Sequence, residues 1–191
     1  MRDEEYPPEQ LPTYGLRHQP HLASLSHRLR TVVLIGFGMA VIAVVCCLAG
    51  VLAYPASIDN AGRLEARVAL WMTLLMVLIV GYQAVAWHLA HREWSGRQDF
   101  NLRAIGIVSF VIHLVSYAVV LVGMWFGLTA VMVAGTASPA FWLIGVGVVA
   151  LIVAQVVGAT EYLRKSGPPG TVPAHMRRLV ALNDKRIDRS A

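Results

Sequence analysis

Apart from Glu161 at the very end of the fourth, the four long apolar runs of this sequence contain no aspartate and no glutamate. A proton or ion pathway is built from intramembrane carboxylates or a chain of ionisable groups. Their absence argues against a transporter acting alone, a small multidrug-type exporter included. Cysteine is almost as scarce: only the neighbours Cys46 and Cys47 occur, both inside an apolar run. Adjacent residues of a helix diverge, so a bond between them would be strained. Neither a disulfide framework nor a metal-binding cysteine motif is present. Charged residues make up 14% of the chain, against roughly 25% in a soluble domain. Lys165 and Lys185 are the only lysines among sixteen basic residues, a bias typical of a high-GC genome.

Catalytic signatures are missing too. There is no HExxH, CxxC, GxSxG or CxxCH, and the "GFGMA" stretch lies within an apolar run rather than after a strand. Ser109 and Ser116, inside the third run, are expected to bond their own helix. The segment "PASIDNAGRLEAR" is too short for a catalytic domain. The chain reads as no enzyme, with no cofactor, no metal and no small-molecule substrate.

What is present is oil. Residues 31–54, 68–88, 104–127 and 141–163 are apolar runs, and each supplies the ~20 residues that a helix needs to cross ~30 Å of hydrocarbon. Trp71, Tyr82, Trp87, Trp125 and Trp142 lie towards the run ends, where interfacial aromatics are expected. The first run follows some thirty more polar residues and exceeds the ~7–15 residues of a signal-peptide core, so it reads as a retained span. The uncharged stretch 128–140 is either a helix extension or a re-entrant piece, with Pro139 suited to a helix start. The fold class expected is an all-α membrane protein with four transmembrane helices and a short amphipathic C-terminal helix.

Fourteen of the sixteen basic residues fall on one side of these spans; Arg63 and Arg67 alone fall on the other. By the positive-inside rule both termini face the cytoplasm, in a bacterial plasma membrane. Residues 1–30 then form a cytoplasmic arm, 31–163 the membrane domain, and 164–191 a basic cytoplasmic tail. Pro7, Pro8, Pro12 and Pro20 favour an extended arm, either disordered or laid along a partner with Tyr6, Leu11 and Tyr14 as anchors. His18, His21 and His27 have no accompanying metal motif and read as solvated. In the tail, Met176, Leu179, Val180 and Ile187 share a face, with Pro173 as a first-turn candidate. Arg177, Arg178, Lys185 and Arg186 then meet anionic lipid at the inner leaflet or a partner subunit. The sequence pI of 9.6 does not imply nucleic acid, because membrane topology already explains the charges.

One histidine sits deep in the third run. A haem between two helices needs two imidazoles at one depth, and His88 is the best partner for His113. At ~1.5 Å per residue His88 lies about 6 Å from Arg92 while His113 lies about 15 Å from Arg103. That mismatch of about 9 Å is too large for rotamers, so a haem b site on His88 and His113 is the second reading. Gln83 and Gln155 stand close to the depth of His113, each nine residues from a basic residue at its helix end. The first reading is a structural polar layer of Gln83, His113 and Gln155, with His113 bonded to one of the glutamines. Glu161, beside Arg164 and Lys165, reads as interfacial charge balance.

Small residues recur at helical spacing: Gly36 and Ala40 in the first run, Gly123 and Gly127 in the third, Ala150, Ala154 and Gly158 in the fourth. Such faces allow close helix approach. Most serve the bundle itself, and a remainder is expected to meet other integral membrane subunits.

A small, arginine-rich, four-span chain with polar arms and no catalytic set resembles uncharacterised actinobacterial membrane proteins. Some of these are accessory subunits of the mycobacterial-type cytochrome bcc–aa3 respiratory supercomplex. The resemblance is one of architecture and composition, without a diagnostic motif, so no functional residue is carried over. It implies a non-catalytic accessory or assembly subunit that stabilises a larger complex beside redox subunits.

Overall fold

The helices outrun the apolar segments that announce them. The structure, a computed structural model, describes residues 19–55, 60–96, 101–163, 167–173 and 176–188, without the side chains of 160–163 and 183–188. Five helices occur among them: α1 (Pro20–Leu52), α2 (Asn60–Trp94), α3 (Leu102–Ala134), α4 (Pro139–Leu163) and α5 (Arg177–Asp188). The first four are long and apolar enough to cross a membrane. At ~1.5 Å per residue, α1, α2 and α3 each extend about 50 Å, well beyond ~30 Å of hydrocarbon.

The excess length corrects the expected arm. Residues 20–30 are not part of an extended segment; they are the first three turns of α1. Pro20 begins the helix, where its fixed φ and missing N–H cost nothing. Leu22, Ser26, Leu29 and Val33 then continue one buried face at helical spacing. Tyr6, Leu11, Tyr14 and His18 lie outside the described residues, as do Arg164 and Lys165.

Stretch 128–140 resolves as an extension of α3, not a re-entrant piece. Gly135, at φ 72°, ends the helix in a conformation that side chains resist, and its N–H reaches Val131 O. Pro139 starts α4, and Ser138 Oγ accepts from Ala140 N at 3.2 Å. At the start of α3 the Asn101 side chain caps Ala104 N. In the tail, Pro173 precedes α5 instead of entering its first turn: its carbonyl accepts from Met176 N at 2.8 Å, and the helix begins at Arg177.

Short connections make successive helices antiparallel neighbours. α1 packs on α2 and α4, and α3 packs on the same two from the other side; α2 and α4 also touch across the bundle. Gln19 and the 167–173 segment therefore share one end, called here the terminal end. Tyr54 and Gly135 share the far end.

Candidate functional site

Near the depth that helical rise sets for His113, three helices turn a polar side chain inward. Gln83 is 4% exposed, His113 5% and Gln155 7%. His113 continues a polar stripe on the buried face of α3 between Ser109 and Ser116. Ser116 Oγ donates to His113 O at 2.6 Å, within its own helix as expected. Tyr117 meets the imidazole edge-on, with ring centroids 5.0 Å apart. Gln155 Nε2 is buried without a hydrogen-bond partner, so that amide nitrogen does not close the level. His88 is elsewhere. It is exposed, with its Nδ1 3.3 Å from Arg30 Nη1 across the α1–α2 groove, while His113 is buried on α3.

Below this level the bundle is drawn tight by small residues. A Cβ on Gly127 would stand 2.3 Å from Val148 Cγ2, and one on Gly123 would stand 2.8 Å from Leu151 Cδ2. Ala40, Ala150 and Ala154 are buried in the core. Gly36 allows ordinary contact with Ala154 O at 3.5 Å. Gly158 does not share this role, because a Cβ there would meet nothing within 4 Å. The tightest part of the α1–α4 seam lies in residues the small-xxx-small reading passed over. A Cβ on Gly147 would stand 2.5 Å from Cys47 Sγ and 3.2 Å from the α1 backbone; one on Gly50 would stand 2.5 Å from Ile144 Cγ1. The available signal was the run Gly36, Ala40, Ala43, Cys47, Gly50, every member of which is small, buried and spaced by three or four residues. Cys46 and Cys47 are both free thiols.

The aromatic residues divide into two groups. Trp71, Trp125 and Trp142 are largely exposed, near the far end, as interfacial residues would be. Trp87 is not interfacial: it is fully buried with Trp94, ring centroids 6.5 Å apart. Helix periodicity, not distance from the run end, decides this; Trp87 lies on the face shared with Ala86, Ala90 and Trp94. Tyr82 is half-buried and reaches Ile105 O on α3 at 3.5 Å.

The terminal end is sealed by its own chain. Gln19 N donates to Trp94 O at 2.8 Å, joining the start of α1 to the end of α2. His91 Nδ1 lies 3.1 Å from both Ser26 Oγ and Ala23 O. Segment 167–173 crosses the start of α3. A Cβ on Gly106 would meet Pro169 O at 2.9 Å, and Gly170, at φ 86°, lies against Leu102. Val172 and Val180 join the same buried cluster as Leu22, Trp94 and Leu102. Arg177 and Arg178 are exposed, as are Leu179 and Leu182; the side chains of Glu161, Lys185, Arg186 and Ile187 lie outside the described residues.

At the far end, Tyr54 Oη donates to Ala130 O at 2.8 Å. A cavity of about 290 Å³ opens beside it, lined by Val51, Leu52, Tyr54, Arg63, Ala66 and Arg67. Arg63 donates to Pro55 O at 3.2 Å. A second cavity of about 300 Å³, nearer the terminal end, is lined by Arg30, Leu34, Ala84, Val85 and His88. Both lie on the α1–α2 flank of the bundle.

Comparison with protein-family models, curated proteins and solved structures finds no match to this chain. What the fold defines is a class: a multi-pass α-helical membrane protein.

Proposed function

We propose that this chain is a non-catalytic accessory or assembly subunit of a larger membrane complex, with both termini in the cytoplasm. The observation that carries this reading is the way the interior is filled. At Gly50, Gly123, Gly127 and Gly147 the helices approach so closely that a Cβ would meet its neighbour at 2.3–2.8 Å. A bundle packed to that degree supports contact better than passage. Its outward surface is correspondingly broad and apolar, including Leu34, Ile35 and Val45 on α1 and Ile107, Val111 and Leu114 on α3. Helix faces of this kind are what another integral subunit or lipid covers. Arg177 and Arg178, exposed on α5, suit the anionic inner leaflet.

The resemblance drawn from the sequence puts a respiratory supercomplex first among the assemblies to search. Native protein tagged at its C-terminus and purified in gentle detergent should bring large membrane subunits with it, identified by mass spectrometry. Visible haem absorbance should be accounted for by those subunits. A lone chain with its own Soret band, lost in His113→Ala, would overturn the proposal in favour of a haem-binding anchor.

The buried level of Gln83, His113 and Gln155 belongs to the same reading, as interhelical adhesion rather than chemistry. Polar contacts of this kind are worth ~0.6 kcal/mol on average and about 1–2 in model peptides. His113→Leu should lower stability in detergent by about 1 kcal/mol, measured by denaturant titration of the helical signal. Unchanged stability would remove the adhesive role.

A further inference from the structure

The groove between α1 and α2 near the terminal end holds an arginine with an unusual set of partners. Arg30 Nη1 lies 3.3 Å from His88 Nδ1, and Nη2 lies 3.4 Å from His27 Nδ1. A guanidinium can only donate, so both imidazoles accept, and neither supplies negative charge. No carboxylate pairs with Arg30 among the described residues. His91 extends the cluster, its ring centroid 5.8 Å from that of His27. Beneath this cationic head the groove changes character. Leu34, Ala84 and Val85 line the rest of the cavity of about 300 Å³, and Leu34 and Val85 are more than half exposed.

We infer that this groove is a binding site for an anionic phospholipid, with its phosphate at Arg30, His27 and His88 and an acyl chain along Leu34 and Val85. Three physical points support that occupant. The guanidinium has five N–H donors, and its two ring contacts leave donors for a phosphate, which it can engage by paired hydrogen bonds. An imidazole that accepts from arginine can turn so that its N–H donates to an anion instead. The sequence from cation to apolar floor matches a phospholipid from headgroup to chain, on a flank that faces the bilayer. A free phosphate ion would use the head and leave the floor uncovered. Basic pockets between membrane helices commonly hold such lipids.

The test is native mass spectrometry of the full chain in detergent with phosphatidylglycerol, phosphatidylcholine or inorganic phosphate added separately. The wild type should retain phosphatidylglycerol in preference to phosphatidylcholine. Arg30→Gln should lower that retention about fivefold, the scale of one basic residue at a membrane surface. Val85→Trp, which fills the floor without touching the charge, should lower it as well. Arg67→Gln, which removes a charge at the far end, should keep it. Equal retention of both lipids by the wild type would overturn the inference, as would full retention in Arg30→Gln. Displacement of the lipid by millimolar phosphate, with Val85→Trp unaffected, would make this an ion site and overturn the lipid assignment. Arg30→Lys, which keeps the charge, should retain the lipid preference and so separates a lost site from a lost fold.

Discussion

Gly147→Leu is expected to split the α1–α4 seam and cost about 3 kcal/mol or more, the upper range for overpacking a closed interior. The reason is what lies opposite. A Cβ at Gly147 would meet not only Cys47 Sγ at 2.5 Å but the backbone of α1, Ala43 O and Cys47 N, each at 3.2 Å. A side chain can swing away, but a helix backbone has to move as a body, and α1 is also held by α2. Close backbone approach is the main source of helix association in hydrocarbon, where apolar side chains gain little by leaving lipid. Unfolding in detergent, followed by helical content against denaturant, would measure the loss. Gly38→Leu and Gly158→Leu are the controls, since a Cβ at either position would meet nothing within 4 Å. Both should stay within about 0.5 kcal/mol of wild type. Equal loss in all three would mean that glycine content, rather than this seam, sets the stability.

The second large effect belongs to Trp87. It is fully buried against Trp94 among Leu22, Leu29 and Ala90, so Trp87→Ala would leave a cavity that long helices cannot close. The expected cost is about 3–5 kcal/mol, with fluorescence losing one of its two fully buried components. Trp125→Ala removes as many atoms from a side chain 68% exposed and should cost under about 0.5 kcal/mol. If the two variants proved equally stable, the terminal end would be looser than its packing implies.

These contrasts show how far one sequence can be read. Four helices were legible because uninterrupted apolar length is enough to place them. Their ends were not, because hydropathy stops at the edge of the oil whereas the backbone ladder continues as long as one face stays buried. Leu22, Leu29, Ala90 and Trp94 carry α1 and α2 past that edge, and their spacing was present among the prolines, arginines and histidines that drew attention away from it. The inward direction of Gln83, His113 and Gln155 could be guessed, since burial is the economical place for a polar group in hydrocarbon. Their partners could not, because rotamers and helix rotation fix them. The glycine contacts illustrate the same divide. Gly123 and Gly127 were identified from spacing within α3, while Gly50 and Gly147 depend on which helices meet. The Arg30 cluster was invisible for that reason as well: His27 and His88 are sixty-one residues apart, and only the pairing of α1 with α2 brings both to one guanidinium.

The segment at residues 167–173 also bears on the order of assembly. It lies over Gly106 and Leu102 at the start of α3, yet it follows all four membrane helices in the chain. During synthesis, this segment therefore leaves the entry of α3 uncovered until α4 has been made and the tail has emerged from the ribosome. Closure of the terminal end by this segment is a late event, because it can only follow the synthesis of all four long helices. A partner or chaperone that met Leu102 and Trp94 before that moment would find an open bundle, and one that arrived afterwards would find a finished one.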